Sequence, residues 1–400
     1  MARSDAAVVR ELCAATLASG WREGARGADG VRFAYTRPSP SRYPFQWYWD
    51  SCFAAIVWRH IDPARARREL ESLLAAQAPD GFIGHTIFWD TPLSLRQRLG
   101  YNLTSPRAPM TASIQPPLLA WAWRIVAGEP AAVPAIVRHF DWLAANRDLD
   151  GDGLIWIVQA DESGLDASPQ FDGIWGAGAS GTLRFLRLVR RNRRLGYDLR
   201  RILDAGGPVC AEVMTNVLYS LSLSALGRPS LTATLVERMY DEHAGFFRPL
   251  ARPDPPRGSA LTWAALSPLA LPDLPDEIAR RLAAHLLDRE QFWLPVPPTS
   301  VAASDPAFTS RDGRLVRHYW RGPTWVNAAW LLWLGLRRLG LESEAAHLRD
   351  RVAAAVAASG LREYYEPTSG AGMGARDFAW STLVLDMLEH DPRAAATYLD

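Results

Sequence analysis

An all-α protein, a ring of paired helices, is the fold this sequence predicts, and three observations point to it. Apolar residues recur with the helical period along most of the chain. Short links carrying Gly or Pro, such as Gly128-Glu129-Pro130, Gly227-Arg228-Pro229 and Gly340, separate successive helical stretches in a helix-hairpin rhythm. Two stretches, 326–336 (VNAAWLLWLGL) and 114–123 (IQPPLLAWAW), are apolar on more than one face. A helix buried on two sides belongs to the inner layer of two, so inner and outer helices alternating around a ring make an α/α toroid. Neither alternating βαβ units nor sustained period-two runs occur, which disfavours a doubly wound sheet or a TIM barrel.

The elements follow in order. Over 63–77, Asp62 is the predicted N-cap and Pro63 the first helical residue, with Leu70, Leu73 and Leu74 on one stripe. Further helices are predicted over 113–127, 131–145, 209–226, 230–240, 275–287, 325–339, 343–358 and 376–388, about a dozen in all with the shorter ones. The Arg/Glu faces of 63–77 and 343–358 place those helices in the outer layer. Pro-rich 252–258 and 294–300 read as loops too short to divide the chain, so residues 1–400 read as one domain.

Composition narrows the function. Hydrophobic residues make up 48% and charged residues 22% of the 400, a globular balance that excludes a disordered chain. The 44 basic residues are all Arg and nearly cancel 43 acids, leaving +1, without the basic field that nucleic acid requires. Cys13, Cys52 and Cys210 form neither a disulfide framework nor a zinc spacing. No apolar run approaches membrane-spanning length, and the N-terminus is too polar for a signal peptide. The expectation is therefore a soluble protein of a reducing compartment, the bacterial cytoplasm. Seventeen Trp are the odd entry: either a bulky core, or rings that stack on the C–H face of a sugar.

Five loop segments gather aromatic rings with acids. They are 44–53 (PFQWYWDSCF), 80–89 (DGFIGHTIFW), 160–172 (ADESGLDASPQFD), 319–327 (YWRGPTWVN) and 361–381, which contains EYYEPTSG and DFAW. On residue chemistry alone, Asp50 reads as an N-cap or as a pocket acid, and His85 as a hydrogen-bonded structural histidine or a functional one. Four carboxylates within 160–172, around a Gly and a Pro, describe a loop that aims side chains. Asp148-Leu149-Asp150-Gly151-Asp152-Gly153 imitates the start of a calcium loop, but Gln159 stands where the bidentate carboxylate belongs, so an Asp/Gly turn is expected there.

In this order the five segments resemble the motifs of glycoside hydrolase family 63, specifically its compact bacterial members, which include mannosylglycerate and glucosylglycerate hydrolases. The resemblance runs from about Gln46 to Met387. It implies an (α/α)6 barrel with inserted loops or short helices as a lid over the pocket. It also implies inverting hydrolysis of a small α-glucoside or α-mannoside, a glycosylglycerate among the candidates, with neither metal nor organic cofactor. Asp166, in ESGLDASP, takes the position of the general acid and Glu363, in EYYEP, that of the general base. Tyr43, Trp47, Trp49, Asp50, His85, Gln115, Gly164, Trp320, Arg321, Trp325 and Trp380 take substrate-binding positions, with Arg321 equally suited to tying loops together and Trp380 to core packing. Glu162 reads as a loop-orienting acceptor, and Glu366 as a decoy beside the base.

The chain also departs from the family pattern: Asp161 replaces a usual Trp, Ala167 an Asn and Phe171 a Trp. A glycerate leaving group would call for Arg, which Arg184, Arg187, Arg190, Arg191 and Arg200 offer unless that run is a solvated helix face. The partner implied is a small carbohydrate, with neither nucleic acid nor membrane, and a homo-oligomer is compatible with the sequence. Two other readings stand beside hydrolysis: a non-hydrolytic carbohydrate-binding or regulatory relative, and a lyase or epimerase using His85, His318 or tyrosines.

Overall fold

Asp62 accepts from the backbone N–H of Ala64 and Arg65, and Pro63 opens the helix behind it, as the sequence dictates. The computed structural model in which this is seen describes residues 3–27, 29–89, 93, 110–131, 133–176, 183–254, 260–310 and 319–390. In chain order the helices are α1 (Arg3–Gly20), α2 (Tyr48–Trp58), α3 (Pro63–Ala75), α4 (Leu119–Ala127), α5 (Pro134–Arg147), α6 (Leu183–Arg194) and α7 (Leu199–Asp204). They continue with α8 (Val213–Ala225), α9 (Thr232–Met239), α10 (Asp276–Leu287), α11 (Val326–Arg338), α12 (Glu342–Ser359) and α13 (Leu383–Glu389).

Burial sorts these helices into two layers. Every residue of α2 is buried, as are nearly all of α8 and α11 and most of α4. A fifth inner position is held by a wholly buried 3-10 segment, Trp263–Ala270, whose internal Pro268 prevents α-helical hydrogen bonding. Ala379–Thr382, another 3-10 turn, and α13 hold the sixth. Each inner member packs on the next, α2 on α4, then α8, the Trp263–Ala270 segment, α11, α13 and back to α2, which closes a toroid. Helices α3 and α12 lie outside on α2 and α11, with their charged faces outward. One apolar core runs around the ring from Val9 to Met387.

Three predicted helices are corrected at their ends. Over 113–127 only Leu119–Ala127 is helical, because Pro116 and Pro117 lack the N–H that an α-helix needs and leave 113–118 irregular. Over 209–226 the first residues form a strand, and Glu212 caps α8 by accepting from the N–H of Met214 and Thr215. Over 376–388 a strand end and the 3-10 turn precede α13. Among the described residues, five two-stranded antiparallel sheets decorate the loops. They pair β1 (Trp21–Ala25) with β2 (Arg32–Thr36), and β3 (Gln46–Trp47) with β4 (Thr86–Ile87). They also pair β5 (Val209–Ala211) with β8 (Leu250–Arg252), β6 (Tyr240–Asp241) with β7 (Phe246–Phe247), and β9 (Arg362–Tyr365) with β10 (Gly372–Arg376).

Candidate active site

Short pairings pull the five segments to one end of the ring. Trp47 on β3 pairs with Thr86 on β4, and Tyr48 N–H donates to His85 O at 3.0 Å. His85 N–H reaches Ser113 O at 2.8 Å, and the Gln115 side chain accepts from Trp49 N–H at 3.0 Å. Glu162 then joins the 113–118 segment to the acid loop. Its carboxylate accepts from Ile114 N–H at 2.9 Å, Val158 N–H at 2.7 Å and both terminal nitrogens of Arg147 at 2.8 and 2.7 Å. Both partners of this bidentate pair are fully buried, which fits a loop-orienting role for Glu162. Trp49, the second residue of α2, lies so close to Gly164 that a Cβ there would come within 2.4 Å of the indole, and Gly164 holds φ +72°. Only Gly satisfies both demands.

Strand β9 carries Glu363. Its Oε1 accepts from the hydroxyls of Tyr43 at 2.9 Å and Tyr319 at 2.8 Å, and its Oε2 from Ala375 N–H on β10 at 2.8 Å. Gly374 makes that last contact feasible, since a Cβ there would meet Glu363 Oε2 at 2.6 Å. Burial and the Glu363 charge push both tyrosines up from the usual phenol range, so each keeps its proton and donates it. Tyr319 is a residue the sequence reading passed over as a site member. Its signal is backbone strain: a non-glycine at φ +32°, just before Trp320.

These walls enclose a cavity of about 260 Å³. Of the residues expected at the site, Tyr43, Trp47, Trp49, Asp50, His85, Gln115, Gly164, Asp166 and Trp380 line it. Glu363 adjoins it through Tyr43 and Tyr319, and Trp380 also donates to Glu363 O at 3.3 Å. Pro38, Thr86, Thr111, Ser113, Asp161, Phe185, Tyr319 and Phe378 also line it, beyond the residues expected at the site. Asp50 is a correction to the capping alternative. Trp47 is the N-cap of α2 and Asp50 is its third residue, buried against the cavity. Burial, then the charges of Glu363 and Glu69, raise the Asp50 carboxyl well above its ordinary value. Burial alone lowers His85 to about 3, so it is a neutral imidazole at working pH. His318 lies outside the described residues.

Trp320, Trp325 and Arg321 are not brought to the cavity wall. The two indoles stack on one another at 3.7 Å, and Trp325 meets Trp380 edge-on at 5.5 Å, so they buttress the wall from behind. Arg321 pairs with Asp172, joining the fourth segment to the end of the third. Glu366 caps its own turn, accepting from Thr368 and Ser369. The calcium-like turn is filled by arginine: Arg238 pairs with Asp150 and Asp152, and Arg252 with Asp150. Among the described residues, acidic, His and Cys side chains nowhere group as a metal site.

An α/α toroid whose end holds acids among aromatic rings is an architecture that can carry glycoside hydrolysis, and the comparisons decide the class. A model of the mannosylglycerate hydrolase MGH1-like glycoside hydrolase domain matches residues 43–381, and the chain belongs to that family, a compact branch of glycoside hydrolase family 63. It is 30% identical to a mannosylglycerate hydrolase of Rubrobacter radiotolerans over 88% of this chain and 93% of the relative. Identity to a glucosylglycerate hydrolase of Mycolicibacterium hassiacum is 26%, over 88% and 94% of the two chains. The crystal structure of the family 63 mannosylglycerate hydrolase from Thermus thermophilus in complex with glucose superposes with a TM-score of 0.77. It is 28% identical, and the match covers 94% of this chain and 99% of that one. The protein is thus a glycoside hydrolase, which removes the non-hydrolytic reading.

Proposed function

We propose that the protein is an inverting α-glycosidase of small α-glucosides or α-mannosides, with Asp166 as general acid and Glu363 as general base. Inversion needs two carboxyl groups on opposite sides of the scissile bond, with about 6.5–9.5 Å between them for a water. The observation that supports the reading is that Asp166 lines the cavity, while Glu363 adjoins it by accepting from Tyr43 and Tyr319, two residues of the same lining. Glu363 is positioned by three donors, one on β10 and two from separate loops, the rigidity a base needs to hold a water in line. Asp166, on the loop anchored by Glu162 and Arg147, delivers its proton to the departing oxygen.

The remaining residues are assigned by chemistry. Trp47, Trp49 and Trp380 offer ring faces and edges to the sugar, while Asp50, His85 and Gln115 meet its hydroxyls. Trp320, Trp325 and Arg321 serve by holding these rings and loops in place. The activities named for the relatives, mannosylglycerate and glucosylglycerate hydrolysis, make an α-linked mannosyl or glucosyl unit on a small leaving group the first substrate class to test.

Product analysis tests the proposal. Proton NMR during hydrolysis of an α-glycoside panel should show the β-anomer first, and Asp166→Asn and Glu363→Gln should each lose activity while still binding the sugar. Initial release of the α-anomer, or near-normal rates in both variants, contradicts it.

A further inference from the structure

Glu363 does not face the space in which an attacking water must stand. Its side chain is 0% exposed and is not among the described residues lining the cavity. Tyr43 and Tyr319, which donate to it, are half-buried members of that lining. Both phenols bond to the same carboxylate oxygen, Oε1, at 2.9 and 2.8 Å. The other oxygen, Oε2, is turned to β10, where it accepts from Ala375 N–H at 2.8 Å and where a Cβ on Gly374 would come within 2.6 Å of it. A water in the cavity therefore meets the phenol hydroxyls, and the carboxylate lies one hydrogen bond further in.

A base takes a proton across a hydrogen bond, directly or through one bridging group. A phenol can be that bridge, because its oxygen accepts one hydrogen bond while its own O–H donates another. The two tyrosines differ in their surroundings. Burial and the Glu363 charge keep the proton on Tyr43 at rest, and Arg42, whose guanidinium lies over the Tyr43 ring at 5.5 Å, works the other way. Tyr319 is wedged edge-on against Trp325 at 5.0 Å and Tyr364 at 5.7 Å, at its strained φ of +32°, which suits it to holding Oε1 in place.

Resting on the assignment of Glu363 as general base, we propose that Tyr43 is a further catalytic residue, whose phenol touches the attacking water and relays its proton to Glu363 Oε1, while Tyr319 is a positioning residue for that oxygen. The step balances. As the water oxygen bonds to the anomeric carbon and the glycosidic C–O bond breaks, one water O–H bond breaks and its proton joins the Tyr43 oxygen. The Tyr43 O–H bond breaks in turn and that proton joins Oε1, so the phenol is neutral before and after. Asp166 gives its own proton to the departing oxygen, and no electrons change hands.

A proton inventory tests the relay in the unaltered protein. The substrate is a 2,4-dinitrophenyl α-glycoside, whose departure needs no proton from Asp166, followed under single-turnover conditions in mixtures of H2O and D2O. Two protons moving together should bow the plot of rate against deuterium fraction downward, and Tyr43→Phe should lower kcat by about 10²-fold or more with KM within about threefold. Tyr319→Phe should lose less than Tyr43→Phe and keep the bowed plot, with melting curves showing that both variants are folded. A straight plot in the wild type, or a folded Tyr43→Phe at near-normal kcat, overturns the relay while a slow Glu363→Gln keeps the base assignment. Near-normal rates in Glu363→Gln overturn both.

Discussion

Two acid-rich turns, 148–152 and 161–166, lie within one stretch of chain and meet opposite fates. In the first, Arg238 and Arg252 neutralise Asp150 and Asp152, and Asp148 closes the turn by accepting from Gly151 and Gly153 N–H. In the second, Arg147 is taken up by Glu162, while Asp161 and Asp166 face a cavity. The difference shows that carboxylate density is not itself a site. What marks one is carboxyl groups that the fold turns into an enclosed space instead of onto surface arginines. Asp150 sits below its ordinary range, through its bonds to Arg238 and Arg252 working against burial, while burial lifts Asp161 far above it.

The largest effects should separate the turns by activity. Asp166→Asn should lower kcat by about 10²–10⁴-fold, the usual worth of positioned proton transfer. Asp150→Asn should leave kcat within about twofold, and equal losses in steady-state kinetics would erase the contrast.

Next comes the anchor between them. Arg147→Met strands the buried Glu162 charge, which typically costs about 3–5 kcal/mol, whereas Arg238→Met at the half-exposed pairs should cost about 0–1 kcal/mol. Urea titration of the two variants checks the order.

A smaller effect sharpens the contrast through its sign. Asp161 has its folded pKa raised from 3.8 to about 8, so the stability linked to its proton is fully present below pH 3.8 and fades as pH rises toward 8. Asp150 is lowered, so its contribution is present above its unfolded value and is lost on acidification. Melting temperatures from pH 4 to 8 should therefore show Asp161→Asn gaining on wild type as pH rises. Asp150→Asn should trail wild type at neutral pH and converge with it in acid. Parallel curves for both variants would contradict the opposed shifts. The smallest effect is a null one: millimolar Ca²⁺ should leave the melting temperature unmoved, since arginines fill the first turn.

The ring was legible because its evidence is local and repeated. Period-3.6 stripes, Pro63 behind its Asp62 cap and the two-faced apolar run in α11 each mark a helix and its layer. What escaped was structure decided by a single proline or by tertiary contact. Pro116 and Pro117 shorten α4, and the Trp263–Ala270 segment, apolar all round and interrupted by Pro268, shows no stripe. At the site, the motif aromatics and acids were visible as types, but their depth was not. Trp320 and Trp325 look identical in sequence to Trp47 and Trp49, yet one pair stacks behind the wall while the other lines it. Phe185 was hidden within an arginine-rich helix.

The division of labour between the two carboxyl groups is the central claim, and leaving-group dependence tests it most directly. With Asp166→Asn, an α-glycoside with a poor alkyl leaving group should be cleaved orders of magnitude more slowly. A 2,4-dinitrophenyl α-glycoside, whose departure needs no proton, should retain most of the wild-type rate, and Glu363→Gln should be slow on both. Equal losses on the two substrates in Asp166→Asn would contradict the account.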